Sequence, residues 1–490
     1  MYHEMEIGGS RMRRKHRFAG VCLAAVFLCI FLVSQALGAG GISGQEMTVL
    51  FTHDLHSCFS PRIQDGGGER GGLARLATLL NQEREAHPNA LVLDGGDFSS
   101  GSLMQALTTS RAPELVTLGA MGYDAVTAGN HEFDNGGLGF GQMLTAARRN
   151  TVSPPPLVMA NYKPAEDNPD QLDLQRAMSA YGVRDYLLLE RGGVTYGIFG
   201  LIGQDAHTSA PVSGYSLEDP IQAAQRCVSR LKEQGAEWII CLSHSGTSQT
   251  STSEDEDLAR AVPEIDLIVS GHTHTTLQDP LVVGDTYIVS AGSNGENLGQ
   301  ITLSRGENGE KSLVSYQLIP VDETVKEDPK ISDLVSAWKE QVDIGYLGAY
   351  GLTYDQVLTR SDFFLARPQS GVQKGNALGE LVADSFIWAV HNIAGIAEEP
   401  IIALTADGVL RAPLPRGELT TAQVFEVLNV GAGADGTAGS PLVSCYLTGK
   451  ELRAVLEVDA TVATLMPEAQ LYLSGVDYSF NTHRMFFNKV

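Results

Sequence analysis

Positive charge is in short supply. Lys and Arg number 34 against 58 Asp and Glu, for a formal net charge of -24. That balance argues against a nucleic-acid polymer or an anionic membrane surface as the main partner. It leaves room for a small anionic substrate, because bound dications can reverse the local field. Patterned cysteine is lacking too. Of six cysteines, Cys22 and Cys29 fall in an N-terminal apolar run, and Cys58, Cys227, Cys241 and Cys445 are irregularly spaced with no CxxC. Neither a zinc knuckle nor a disulfide scaffold is indicated; buried free thiols are expected, with one disulfide as the alternative. The glycine-rich stretch Gly431 to Gly439 is followed by no Lys-Ser/Thr pair, so it is not read as a phosphate loop.

What is present begins with a targeting segment. Arg11, Arg13, Arg14, Lys15 and Arg17 precede an almost wholly apolar run from Phe18 to Leu37, and Ala36-Leu37-Gly38 supplies small residues for cleavage. Residues 1–38 are read as a signal peptide, with an uncleaved anchor as the alternative, and no cysteine stands where a lipid signal needs one. The expected location is outside the cytoplasm: periplasm, cell surface or extracellular space. The 490 residues suffice for about three domains, or two larger ones, with sizeable cores.

The chemistry gathers where apolar runs end. Asp124-Ala125-Val126-Thr127-Ala128 reads as a buried strand, and Gly129-Asn130-His131-Glu132-Phe133-Asp134 follows at once. Met47 to Thr52 empties into His53-Asp54-Leu55-His56, and Ala90 to Leu93 into Asp94-Gly95-Gly96-Asp97. Trp238 to Leu242 ends in Ser243-His244, and Ile265 to Val269 delivers Gly271-His272-Thr273-His274. Any one of these is an ordinary polar turn. Six of the twelve histidines, however, stand at these strand exits, where ligands of α/β sheets collect. Other expected strands are 157–160 and 196–201; helices are expected over 71–80, 221–234, 377–389 and 449–458, and a strand over 400–404. Asp328-Pro329 opens a helix whose Ile331, Leu334, Val335, Trp338 and Val342 share one face, read as a connector between domains.

Imidazole, carboxylate and one amide, without thiolate, suit Zn, Mn, Fe or Co rather than calcium or a lone magnesium. Seven candidate ligands are too many for one tetrahedral ion, and two ions sharing a carboxylate are the usual device for displacement at phosphorus, with a hydroxide as nucleophile. His131 is best placed as a non-ligand whose imidazolium, oriented by Asp134, steadies the leaving oxygen.

Asp54-Leu55-His56, Gly96-Asp97, Gly129 to Glu132, His244 and Gly271 to His274 resemble the five signature blocks of calcineurin-like metallophosphoesterases. Within them the chain resembles the 5'-nucleotidase/UDP-sugar hydrolase family, a likeness extended by Leu378 to Asp384, Leu447 to Leu452 and Ser474 to Tyr478. The resemblance implies an α/β (α+β) fold. A four-layer β-sandwich flanked by helices over 46–320 would be followed by a linker helix over 321–350 and a smaller α/β substrate domain over 351–490. It implies Asp54, His56, Asp97 and His274 on one divalent metal ion and Asp97, Asn130, His244 and His272 on a second. His131 and Asp134 would be the catalytic pair, and His53 would stand behind the ligands. Arg411 and an aromatic from Tyr478 or Phe480 would hold substrate. The family's Pro-Phe-Gly-Asn block, with one stacking ring, is replaced by Asn429-Val430-Gly431-Ala432, and the chain ends at Val490 where relatives usually continue. The implied partner is a small nucleotide or nucleotide-sugar. The competing readings are the same chemistry on cyclic nucleotides or another phosphate or sulfur ester, and a non-catalytic surface binding protein.

Overall fold

Alternation of apolar side chains builds two sheets. The computed structural model describes residues 45–490 except 152, 249–252, 369–373, 398–400, 430, 434–436, 464, 467–468, 482 and 486–487. The expected signal peptide over 1–38 therefore lies outside the described residues, as do Pro400 and Val430. Among the described residues no helix is long and apolar enough to cross a membrane. The chain divides into two units. The smaller includes the hairpin tip Leu303–Val314, closed by a 2.8 Å bond between the Ser304 and Ser312 hydroxyls; the larger takes Met47–Thr302 and Ser315–Val490.

One five-stranded sheet runs in the order Lys311–Pro320, Asn297–Arg305, Gln45–Thr52, Leu91–Asp94, Ala125–Val126. Its last three strands are parallel. A six-stranded sheet runs Leu281–Val283, Thr286–Val289, Leu267–Ser270, Trp238–His244, Val194–Ile202, Tyr186–Arg191, with its four central strands parallel. Parallel sheets are covered on both faces. On the first, Leu50, Val92 and Val126 join a core with Leu76 and Leu80 of helix Leu73–Ala86. On the second, Phe199, Cys241 and Ile268 pack with Cys227, Val228 and Leu231 of helix Pro220–Glu233. The alternate positions Val49, Phe51, Leu91 and Leu93, and Ile198, Ile240, Leu242 and Val269, are equally buried. Gly95 of the first sheet's loop lies against Val269 of the second. All the parallel strands that carry expected ligands therefore discharge their loops toward one edge.

Most expected elements form, with shifted ends. The stretch 157–160 is an exception: it makes only isolated bridges, Val126 to Leu157 and Val158 to Arg184. Pro154-Pro155-Pro156 before it offers no N–H for a ladder. The expected strand over 400–404 is observed at Ala403–Ala406, paired antiparallel with Leu471–Ser474. Helix Pro329–Gly345 starts where Asp328 accepts from the Lys330 and Ile331 amides, and it buries Ile331, Val335, Trp338 and Val342. The Trp338 indole N–H reaches Thr117 Oγ1 at 3.2 Å, fixing the helix to the first core. Three cysteines are buried free thiols, whereas Cys445 is exposed, contrary to the expectation of buried thiols throughout.

Behind the ligand-bearing edge, Asp255 accepts from Ser243 Oγ and Ser270 Oγ, both at 2.5 Å. It thereby ties together the ends of strands Trp238–His244 and Leu267–Ser270. Burial pushes its carboxyl up to about 7. A folded value above the unfolded one contributes stability fully at pH below about 4 and loses it as pH rises through about 7. Asp255→Asn is expected to flatten this dependence, with Tm under chelator falling several degrees less between about pH 5 and 8 than in the parent. Parallel Tm curves for the two proteins would remove Asp255 from that role.

Candidate metal centre

Each ligand loop begins at a strand end and bends at once. Asp54, His56, Asp97, His272 and His274 all take positive φ, between 46° and 76°. Side-chain-bearing residues avoid this region, at a cost of roughly 1–3 kcal/mol each, and such strain persists where a site requires it. Gly129 is needed for a different reason. A Cβ there would stand 2.2 Å from Asp97 Oδ1 and 2.6 Å from the His244 ring, so only glycine lets the backbone pass so close.

The loops are stitched by backbone bonds: Asp54 N to Gly96 O, His56 N to Asp97 O and Ser57 N to Phe98 O, at 2.8–3.0 Å. Glu132 clamps two of them. Its buried carboxylate accepts from the Asp97, Ser99 and Gly129 amides and from Ser99 Oγ, at 2.6–3.0 Å. Burial, then Asp97, pushes this carboxyl up to about 7.

Three groups of donors converge, each with ligand atoms within 4.8 Å of one another: Asp54, His56 and His274; His56, Asp97 and His131; Asp97, His244 and His272. Asn130 joins the third, its Oδ1 lying 3.3 Å from His244 Nε2 and 3.0 Å from His272 Nδ1. The outward nitrogens decide how these rings are used. His56 Nδ1 faces Ser100 O at 3.1 Å, and His244 Nδ1 faces Gly95 O at 2.9 Å. A carbonyl only accepts, so each Nδ1 carries the proton and turns Nε2 inward. His272 turns the other way, with Nε2 2.9 Å from the Asp205 carboxylate and Nδ1 inward. His53 works behind Asp54: the Ala291 N–H donates to its Nε2, so Nδ1–H donates to Asp54 Oδ2 at 2.6 Å. This is how imidazole and carboxylate ligands are oriented at metal sites. Burial, and then the neighbouring His274, hold His56 well below its usual value, which keeps it neutral. In the cation-free site burial favours the neutral acid at Asp97, but the His244 and His131 imidazoliums outweigh it and hold the carboxyl below its ordinary value. Asp97 in turn outweighs burial at His244 and raises it to about 10; a cation bound there would take the place of the His244 Nε2 proton. The inward lone pairs and the two carboxylates fit a pair of divalent cations. Asp97 is shared between the second and third groups.

His131, a member of the second donor group, also pairs with a carboxylate of its own. Its Nδ1 lies 2.9 Å from Asp134 Oδ2. Burial lowers its affinity for protons, but Asp134 and Asp97 together outweigh burial and bring its pKa up to about 9. Its Nε2 lies 3.5 Å from Arg411 Nη2. Guanidinium only donates, and protonated imidazole does too, so two donors face each other there. An anionic oxygen lodged beside both would satisfy them.

All nine predicted metal and catalytic residues are thus brought to one place. Arg411 joins them, lining a cavity with His56, His131, His274, Arg62 and Arg367. Tyr478 and Phe480 are not brought there. Their rings stack on one another at 5.8 Å, Tyr478 bonds to Asp459, and both line a separate cavity with Lys374 and Asp384. Sequence reasoning missed Arg62, Arg367, Asp205 and the clamp made by Glu132. Arg62, Arg367 and Asp205 carry no spacing signal, and although Glu132 stands in the Gly129 to Glu132 block, its bonds to the Asp97 and Ser99 amides cross to another loop.

A family profile described as calcineurin-like phosphoesterase matches residues 47–276, and one described as the 5'-nucleotidase C-terminal domain matches residues 348–490. The chain is 28% identical over 462 residues to the trifunctional nucleotide phosphoesterase protein YfkN of Bacillus subtilis (strain 168), covering 89% of this chain and 29% of that protein. It is 30% identical over 324 residues to 5'-nucleotidase of Bos taurus, covering 61% of this chain and 53% of that protein. It spans about half the length of most curated relatives it matches. Among solved structures, the 5'-nucleotidase precursor from Thermus thermophilus superposes with a TM-score of 0.68 at 26% identity, covering 91% of this chain and 84% of that one.

Proposed function

Because the chain belongs to the calcineurin-like phosphoesterases and carries a 5'-nucleotidase C-terminal domain, we propose that it is a metal-dependent hydrolase releasing phosphate from nucleotides. The observation that carries this reading is the convergence of Asp54, His56, Asp97, His244, His272 and His274 into donor groups whose atoms lie within 4.8 Å of one another. Asp54, His56, Asp97 and His274 would hold one divalent ion; Asp97, Asn130, His244 and His272 would hold the other. When bound, such a pair supplies Lewis-acid activation of water and neutralises charge at phosphorus.

The remaining steps belong to the chain. Arg411 and the His131 imidazolium, 3.5 Å apart, grip the phosphoryl group and hold it for in-line attack. Charge builds on the leaving oxygen as the ester bond breaks, and His131 Nε2–H is placed to meet it. Asp134, on the far nitrogen, keeps the ring oriented and charged. UDP-sugars fit the same chemistry, with attack on a diphosphate, and form the second substrate class of this reading.

The test is phosphate release from AMP by protein loaded with Mn2+, Co2+ or Zn2+, with UDP-glucose assayed in parallel. Activity is expected with metal and should vanish on chelation. If two equivalents of metal bind and no phosphoester or diphosphate substrate is cleaved, the hydrolase reading falls and the binding-protein reading takes its place.

A further inference from the structure

Arg62 sits on the short strand Arg62–Ile63, beyond the first ligand loop, and its side chain is only 16% exposed. Its guanidinium is fixed on three sides. Nη1 donates to Asn294 Oδ1 at 2.5 Å, Nη2 to Gly101 O at 3.2 Å, and Nε faces Glu426 Oε2 at 3.2 Å. Two of these anchors tie it to the metal centre. The Asn294 backbone N–H donates to Asp54 O at 2.7 Å, and Gly101 follows Asp97 in the second ligand loop. Guanidinium has five N–H donors, so three engaged leave two, one on each terminal nitrogen. The residue lines the same cavity as His56, His274, Arg367 and Arg411. Its partners Asn294 and Gly101 line that cavity too, so the terminal nitrogens that reach them lie at its wall. Planar forks with spare donors match phosphoryl oxygens.

Resting on the hydrolase reading above, we propose that Arg62 is a phosphate-contacting residue whose hold on the substrate anion is opposed by its ion pair with Glu426. The carboxylate holds Nε and offsets the positive charge that the spare terminal donors offer the phosphoryl group. The two partners therefore act with opposite sign, which a purely structural tie does not predict.

Inorganic phosphate is the probe, titrated calorimetrically into the full-length Mn2+-loaded protein, alongside AMP kinetics. Arg62→Gln should weaken phosphate binding about tenfold and raise KM for AMP, with kcat changed much less, as expected for loss of one charge-assisted contact. Arg62→Lys should restore part of the loss. Glu426→Gln should tighten phosphate binding, because the guanidinium's charge is no longer offset. Metal content near the parent's in each variant shows that the centre is intact. If Arg62→Gln and Glu426→Gln weaken phosphate alike, or Arg62→Gln leaves it within about twofold, the proposal is overturned while the hydrolase reading stands. If the parent neither binds phosphate nor cleaves AMP, the hydrolase reading fails and this proposal with it.

Discussion

Replacing Asp97 by alanine is expected to abolish phosphate release, by at least about a thousandfold, and to drop bound metal from about two equivalents to below one. Among the described residues, Asp97 alone belongs both to the donor group of His56 and His131 and to that of His244 and His272. Its Oδ2 lies 3.0 Å from His244 Nε2, while its Oδ1 accepts from the His131 amide at 2.8 Å. On the proposed assignment, removing the carboxylate takes a donor from each ion, and it also leaves the His131 amide without its acceptor. Asp97→Asn keeps the shape and the acceptor for His131 but removes the charge. It should lose most activity with less disturbance of the fold. Elemental analysis after dialysis, beside AMP turnover, checks both statements. Full turnover by either variant with two equivalents of metal would show that Asp97 does not bridge.

His131→Ala should behave differently, and the difference identifies its role. Turnover is expected to fall about 10²–10⁴-fold, the range for a positioned general acid, while metal content stays at the parent level. If the imidazolium is the working form, as proposed, activity should fall as pH rises through its pKa. That value is about 9 in the cation-free site, where Asp134 makes the largest contribution raising it. Two bound cations repel the imidazolium's charge, so the falling limb should come at or below about pH 9. Asp134→Asn removes the main stabilising partner and should move the limb lower still. A pH profile of kcat in the parent and this variant decides the matter. An unmoved limb would assign the titration to another group.

The strand exits are legible in the sequence because apolar runs stop abruptly at Asp, His and Asn. Asp54, Asp97, Asn130, His244 and His272 can be read that way without coordinates, since strand and loop are adjacent in the chain. The place of His53 behind Asp54 is legible in outline, but its actual partner, the Ala291 amide, lies 238 positions away. Similar distances hide Arg62, whose contacts at Asn294 and Glu426 come from segments with no periodic link to it. Tyr478 stands out only through its place in a family block. In the structure its hydroxyl is taken up by Asp459 on helix Gly449–Val462, a pairing decided by packing that no local pattern announces. The short bridges over 157–160 look like a strand from sequence because apolar content says nothing of missing donors in the preceding prolines.

The donors come from two sheets, with Asp54, His56, Asp97 and Asn130 at the edge of one and His244, His272 and His274 at the edge of the other. His56 and His274 are separated by 218 positions, yet their Nε2 atoms stand 2.9 Å apart. Such a pocket does not exist until both sheets are built and docked, so ions cannot nucleate this chain as they nucleate a zinc finger. They are expected to arrive last, as passengers of assembly. A chain refolded under a strong chelator should reach its native shape empty and take up cations afterwards.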